Sequence, residues 1–370
     1  MKIKTIVSYV VSFLASVIGV GLNFYLARVF EAQVFGRIQY LIALATTFSQ
    51  FLIFGINSFL VREATNKKHG GELFNKCFSL YLLIFLFFVP ILYFASINHI
   101  AYTTGNTVLT ILIVIMAILM GANSLIASFY QGNGKYHVAV IFENLLPKLL
   151  LLIVCLIFIG IGQKVFLSEN YVLFYIIAYS AIAIPFILIL FKRINLKFEK
   201  NDLKSIFFFF GVTVTYSLGN NLTKVLQGGL FLNDVALAII SLSLSFVSLI
   251  RVITGVLDGI VKPIFAKKMR ENDIDGLFET YSFNTRINMY VSVPIYLFFI
   301  LNPTRFLVVF GESYLAYPLI LVIISIANAV SDLTGPNGTM LAMTGKEKWE
   351  LVNGFVYFGV YIVSFIVRTI

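Results

Sequence analysis

Apolar segments of about 20 residues follow one another along this 370-residue chain, with only short polar connections between them. A backbone inside lipid finds no water, so the expected element is the helix, which pairs its own N–H and C=O groups. Hydrophobic residues make up 59% of the sequence and charged residues 12%, and the mean hydropathy is +0.95. These values are atypical of soluble globular proteins. The sequence therefore predicts an all-α, polytopic integral membrane protein.

The apolar segments predict eleven spanning helices. They cover residues 5–29, 36–62, 74–98, 107–130, 138–162, 171–191, 204–230, 236–263, 279–302, 315–342 and 350–369. Lys and Arg are concentrated in alternate connections, and this positive-inside bias predicts a cytoplasmic N-terminus. The net charge of +10 then follows from membrane topology, so we expect no nucleic-acid partner.

The connections between the helices are too short to hold a catalytic domain. The three histidines and the two cysteines, Cys77 and Cys155, show no metal-ligand spacing. No loop contains a Ser, His or Cys constellation, or a pair of carboxylates, that would suggest catalysis. We therefore expect neither an enzyme nor a bound metal or cofactor.

Basic, proline and glycine positions recur in the same order in the two halves of the chain. The offset between matching positions grows slowly from 200 to 211 residues, from Lys67 and Lys267 to Lys135 and Lys346. This predicts two parallel-repeat helical lobes, residues 1–196 with six helices and 197–370 with five. The second lobe is one helix short of a symmetric twelve. We expect either truncation of a longer gene or an eleven-helix variant.

Four cations lie inside predicted spans, and a fifth lies near the outer end of the first helix. They are Lys148, Lys224, Arg251, Arg286 and Arg28. A charge at the bilayer centre costs about 2.5–3.5 kcal/mol on insertion scales, so these residues are expected to face a polar interior. An interior lined by unpaired cations favours an anionic substrate. The alternative is that the off-centre cations snorkel to a headgroup or pair with a carboxylate.

Two carboxylates, Asp258 and Asp332, lie deep in predicted spans. Either could bind H⁺ or Na⁺ and so couple transport to an ion gradient. The alternative is that each neutralises a neighbouring Lys or Arg.

Several short segments resemble the polysaccharide transporter family, the Wzx-type O-antigen and oligosaccharide flippases of the multidrug/oligosaccharidyl-lipid/polysaccharide exporter superfamily. They are residues 23–28 (NFYLAR), 35–36 (FG), 54–57 (FGIN), 62–63 (RE), 131–135 (QGNGK) and 344–346 (TGK). The resemblance covers most of the chain, but it consists of scattered glycine and arginine positions.

This resemblance implies two six-helix lobes around a V-shaped cavity. It also implies translocation of an undecaprenyl-pyrophosphate-linked repeat unit across the bacterial inner membrane. The pyrophosphate would be attracted by the cations, since Lys and Arg bind phosphate oxygens strongly where water is scarce. A polysaccharide polymerase and chain-length machinery are possible partners beside the lipid bilayer. The eleven predicted helices depart from the family pattern of twelve or more.

Other functions remain open at this point. A multidrug or cation antiporter of the same superfamily would need buried carboxylates, and a peptidoglycan-precursor flippase would carry a similar lipid pyrophosphate. A third alternative is a non-transporting protein, either an assembly partner of polysaccharide synthesis or an inactive remnant. Accumulation of anionic lipid, sensitivity to drugs, or no phenotype on deletion would separate these alternatives.

Overall fold

The computed structural model describes residues 3–64, 70–99, 106–207, 209–211, 233–344, 349 and 352–356, and every regular element among them is helical. The prediction of an all-α, polytopic protein is confirmed. In the first half the helices are α1 (Ile3–Val29), α2 (Ala32–Ile53), α3 (Ile56–Ala64), α4 (Gly70–His99), α5 (Thr107–Gly132), α6 (Tyr136–Val140), α7 (Leu146–Gly160), α8 (Lys164–Glu169) and α9 (Tyr171–Leu190). In the second half they are α10 (residues 200–207, helical again at 209–211), α11 (Asp234–Arg270), α12 (Ile274–Leu301), α13 (Pro303–Leu307), α14 (Pro318–Leu333) and α15 (Asn337–Met343). Most of the predicted helices 204–230 and 350–369 lies outside the described residues.

Six of the described helices are long and apolar enough to cross a membrane. These candidate spans are Val10–Val29, Gly71–Ile91, Thr107–Gly132, Tyr136–Gly160, Tyr171–Leu190 and Asp234–Arg251. A seventh candidate is the pair Ile274–Leu301 and Pro303–Phe310, which is bent by 91° at its break. The protein is thus a multi-pass membrane protein.

The chain divides into two compact units, and the first helix contributes to both. Unit 1 comprises Met1–Leu22 and Arg37–Asn233, and unit 2 comprises Asn23–Gly36 and Asp234–Ile370. The sequence prediction placed a boundary between residues 196 and 197, on the basis of the repeat. That division into lobes stays a prediction, and the compact units divide after Asn233 instead.

Helix α5 is the centre of unit 1, where α3, α4, α6 and α9 all pack on it. Small residues allow this close packing: a Cβ on Gly121 of α5 would lie 2.6 Å from the hydroxyl oxygen of Tyr81 on α4. That hydroxyl donates a 2.7 Å hydrogen bond to the Ile118 carbonyl oxygen, so the buried tyrosine is satisfied by the α5 backbone. Both cysteines are buried in this unit as thiols.

The predicted helix 36–62 is broken at Phe54 and Gly55. Both residues have positive φ, 50° and 76°, and end α2 before α3 begins. A Cβ on Gly55 would lie 2.8 Å from the Ile206 carbonyl oxygen and would also contact the Phe210 backbone. Phe54 stacks on Phe210 with ring centroids 3.9 Å apart. The break therefore lets α10 pack tightly against the junction of α2 and α3 within unit 1.

Unit 2 is built on α11, α12 and α14, which pack against one another, with α15 against α11. The junction between α1 and α2 belongs to this unit because its polar groups bond there. The Ala32 amide donates to Ser313 Oγ at 3.2 Å, and Asn23 Nδ2 donates to Ser245 Oγ at 3.0 Å. A cluster of aromatic rings fills the space beside this junction: Phe24, Phe246, Phe299, Phe306 and Phe310.

Candidate functional site

The predicted cation Lys148 lies in unit 1, directly after an irregular turn of helix. Residues Ile141–Leu145 form a π-helical turn, in which the Leu146 amide donates to the Ile141 carbonyl. Pro147 has no N–H to donate to the Glu143 carbonyl, so a regular α-helix cannot continue through this point. Single π-turns of this kind are frequent at functional sites. The turn places Lys148 at the middle of the candidate span Tyr136–Gly160.

The Lys148 side chain is half-buried and runs along α1. A Cβ added to Gly19 would lie 2.8 Å from Lys148 Nζ and 2.9 Å from its Cδ. A Cβ at this position would require the flexible Lys148 side chain to shift, since real Cβ atoms essentially never approach so closely. Gly19 therefore allows the alkyl chain of Lys148 to lie on the α1 backbone.

A carboxylate that the sequence analysis missed lies near this lysine. Glu143, on the π-turn, interacts electrostatically with Lys148 and with the side chain of Ser124 on α5. Glu143 also interacts electrostatically with Tyr179 of α9. Lys148 thus has a carboxylate in its electrostatic surroundings, and its role as a substrate-binding cation stays a prediction. The signal was present in the sequence, because Glu143 precedes Lys148 by five residues inside the predicted span 138–162.

The predicted residues Arg251 and Asp332 come together in unit 2. Arg251 on α11 donates a 2.8 Å hydrogen bond from Nη2 to Asn328 Oδ1 on α14. Tyr296 on α12 is 1% exposed and interacts electrostatically with both Arg251 and Asp332. Three helices thus converge on a cation, an anion and a phenol.

The other predicted site residues are not part of these two clusters. Arg286 lies near the middle of α12 on an exposed face. Arg28, in the last turn of α1, donates to the Val309 carbonyl oxygen, and both residues belong to unit 2. Lys224 lies outside the described residues, and the same holds for the side chain of Asp258, whose backbone lies in α11. The roles predicted for these residues stay predictions.

The sequence matches the model of a family described as "Polysaccharide biosynthesis protein" over residues 25–318. None of the curated protein sequences compared with the chain matches it significantly.

Several solved transporter structures share the fold. The lipid II flippase MurJ in an inward closed conformation has a TM-score of 0.62 at 16% identity, covering 92% of this chain and 78% of that one. The MATE multidrug transporter DinF-BH gives 0.57 at 12% identity, with 94% and 83% covered. A MOP superfamily transporter from Pyrococcus furiosus, described as having a binding pocket of reverse polarity that suggests a different function, gives 0.54 at 15% identity, with 94% and 84% covered.

At such low identities, the structural similarity supports a shared fold and nothing further. The fold is that of MOP superfamily transporters. The match to the family model covers most of the chain and confirms the resemblance drawn from the short segments. The chain belongs to the polysaccharide biosynthesis protein family.

Proposed function

We propose that this protein is a flippase that moves undecaprenyl-pyrophosphate-linked oligosaccharide repeat units across the bacterial inner membrane by alternating access. The repeat units would belong to O-antigen, capsule or another surface polysaccharide. The observation that carries the proposal is the central position of Lys148 in its span, in a member of a polysaccharide family. Twelve residues separate Lys148 from each end of Tyr136–Gly160, about 18 Å of helix on either side. That depth is too great for snorkelling to a headgroup.

The charge of the substrate gives a lysine at this depth a role in transport. A pyrophosphate crossing a medium of low dielectric constant needs countercharge, and a partly desolvated ammonium or guanidinium group supplies it. Glu143 and Asp332 moderate this attraction, since each carboxylate competes with the phosphate for the cation near it. Binding then stays reversible, as transport requires.

We assign substrate binding to Lys148, Arg251, Arg286, Lys224 and Arg28, and ion coupling by H⁺ or Na⁺ to Asp258 and Asp332. The N-terminus would be cytoplasmic, and a polysaccharide polymerase with its chain-length machinery would receive the product. The assignment is best supported for Arg251 and Asp332, because both interact electrostatically with Tyr296. A cation bound at Asp332 would neutralise the carboxylate, and the net positive charge around Arg251 would then be larger when an anion approaches.

Deletion of the gene tests the proposal. The expected result is accumulation of polyprenyl-pyrophosphate-linked glycan in the inner membrane, together with loss of surface polysaccharide. Complementation with Lys148→Gln should fail at normal membrane abundance of the protein. The matched control is Lys200→Gln, which removes an exposed lysine at the start of α10 and should complement fully. Full activity of Lys148→Gln would remove this lysine from the site, and absence of the lipid-linked intermediate would refute the flippase.

A multidrug or cation antiporter is the second candidate, favoured by one specific observation. Glu143 lies inside a candidate span and Asp332 inside α14, and carboxylates in such positions can exchange H⁺ or Na⁺ for a cationic drug. Efflux of a cationic dye from energised cells distinguishes the two candidates. Dye efflux that is lost in both Glu143→Gln and Asp332→Asn, with lipid-linked glycan unchanged on deletion, would favour the antiporter.

A further inference from the structure

The segment that joins α9 to α10, residues 191–198, is held against α4 by two buried polar side chains. We call this segment the strap. Asn75 Oδ1 accepts a 2.9 Å hydrogen bond from the Lys192 amide, and Ser79 Oγ accepts one of 2.9 Å from the Asn195 amide. Asn75 and Ser79 are both buried on α4. The strap is not helical, yet its backbone is fixed to unit 1 at two points.

Aromatic rings anchor the two ends of the strap. Phe191 contacts Phe78 of α4 with ring centroids 4.9 Å apart, and Phe198 contacts Phe59 of α3 with centroids 6.4 Å apart. These ring contacts and the hydrogen bonds between them determine which side of the strap faces the protein. A ligand that binds the other side meets a preorganised surface, so binding orders little of the chain.

The outer surface of the strap combines apolar side chains with cations. Ile194 and Leu196 are 74% and 47% exposed, and the exposed residues Lys192 and Lys197 flank them in the sequence. The strap begins directly after the candidate span Tyr171–Leu190. At the edge of a bilayer, apolar side chains can enter the hydrocarbon while neighbouring lysines reach the headgroups. The outer surface therefore suits the boundary between lipid and water.

The strap carries positive charge that no carboxylate of its own balances. It contains Lys192, Arg193 and Lys197 and no acidic residue. Arg193 Nη2 forms a 2.8 Å ion pair with Glu72 Oε1 of α4, and both side chains are exposed. Residues 199–204, at the start of α10, contain two acidic and two basic residues, so that stretch is neutral. The excess positive charge is therefore concentrated at Lys192 and Lys197.

We propose that the strap binds an anionic phospholipid of the surrounding bilayer. Lys192 and Lys197 attract its phosphodiester group, and Ile194 and Leu196 contact its acyl chains. Basic residues immediately beside a transmembrane helix attract anionic headgroups in this way. A soluble phosphate would leave the two apolar side chains in water, so a lipid fits the surface better. The surface lies entirely within unit 1 and does not rest on the proposed function.

Quenching of a single tryptophan by brominated lipid tests the proposal in a bilayer. Trp349→Phe removes the one native tryptophan, and Ile194→Trp places a reporter on the strap. The purified protein is reconstituted into phosphatidylcholine bilayers that contain either brominated phosphatidylglycerol or brominated phosphatidylcholine. The ratio of the two quenching constants measures the preference for the anionic lipid. We expect a preference of about fivefold or more at this position, because two lysines attract the headgroup.

The control for position is Ile161→Trp in the same Trp349→Phe background. Ile161 is 64% exposed and directly follows the candidate span Tyr136–Gly160, so it has an equivalent place at the end of a span. No cation lies within two residues of Ile161 in the sequence, and the preference there should be about twofold at most. Leu196→Trp is a second reporter on the strap, for the case that Ile194→Trp does not fold. Each variant is checked for a monodisperse elution profile.

Two double variants in the Ile194→Trp background separate a site from general attraction to a basic surface. Lys192→Gln with Lys197→Gln should lower the preference for phosphatidylglycerol to about twofold or less. The matched double variant, Lys200→Gln with Lys204→Gln, removes the same charge from the neutral stretch and should retain at least half of the preference. An equal loss in the two double variants would overturn the site, because the attraction would then come from the whole basic surface.

The position control supplies the second decisive outcome. A preference at both Ile194→Trp and Leu196→Trp that is no larger than the preference at Ile161→Trp overturns the proposal. No step of the experiment measures transport or requires a lipid-linked glycan. The lipid surface and the proposed function can therefore fail separately.

Discussion

Gly36 is the position where the smallest change should have the largest structural effect. It lies in the second turn of α2 and is buried against the first residue of α11, within unit 2. A Cβ there would overlap the Asp234 carbonyl oxygen and would lie 2.7 Å from its carbonyl carbon and 3.1 Å from its Cα. These are backbone atoms, so they cannot rotate away as a flexible side chain would.

The size of the effect of Gly36→Ala can be worked out from these distances. Ordinary contact begins at 3.4 Å, so the Asp234 carbonyl carbon must retreat by at least about 0.7 Å and its oxygen by more, an overpacking that typically costs about 1–3 kcal/mol. Replacing glycine by alanine inside a helix returns about 0.5–1 kcal/mol. We expect a net loss of about 0.5–2 kcal/mol, which lowers the unfolding midpoint of a unit this size by about 1–8 °C.

Thermal unfolding of purified protein in detergent measures this loss. The matched control is Gly21→Ala, because a Cβ on Gly21, inside α1, would meet nothing within 4 Å. That variant should unfold at the same temperature as the parent or slightly above it. If Gly36→Ala were as stable as Gly21→Ala, then α2 and α11 would not approach each other as described, and the reasoning would be refuted.

Three further outcomes are expected. Gly19→Ala should displace the Lys148 side chain, which lies 2.8 Å from the new Cβ, and lower the rate of glycan transport by several-fold at unchanged membrane abundance; an unchanged rate would show that the position of Lys148 is not critical. Asn328→Ala removes the acceptor of the Arg251 hydrogen bond and should cost about 0.5–1.5 kcal/mol of unfolding free energy, because the exposed guanidinium can bond to water instead; Asn328→Asp should retain the bond in the same unfolding measurement. Asp332→Asn should make transport insensitive to an imposed H⁺ or Na⁺ gradient while the protein stays folded, and a transport rate that still follows the gradient would remove Asp332 from coupling.

The helices were largely predictable because their signal is local. An apolar run of about 20 residues has few alternatives in a membrane, so α5 and α9 begin and end close to the predicted residues. The break at Gly55 was not predictable, since it depends on contact with Ile206 and Phe210, some 150 residues later in the chain. An apolar pattern indicates that a face is buried but not which partner buries it.

In the candidate site, too, local features could be predicted from the sequence and long-range contacts could not. Lys148 and Arg251 were found because a cation inside a span is conspicuous in any sequence. Glu143 was missed although it lies five residues inside its predicted span, as far as Asp258 lies inside 236–263. Its place near Lys148 depends on the π-turn, which the apolar pattern does not indicate. The neighbourhood of Arg251 and Asp332 could not be deduced, since 81 residues and two helices separate them in the chain.

The membership of residues 23–36 in unit 2 has a consequence for how the protein is made. These residues leave the ribosome about 200 residues before Asp234 and the helices on which they pack, a delay of about 10–40 s at usual synthesis rates. During that time the aromatic ring of Phe24 and the backbone of Gly36 have no native partner. The first part of unit 2 is therefore made before most of unit 1, and the rest of unit 2 is made last. A fragment that starts at Asp234 would lack part of its own core, and only co-expression with the preceding fragment could restore it.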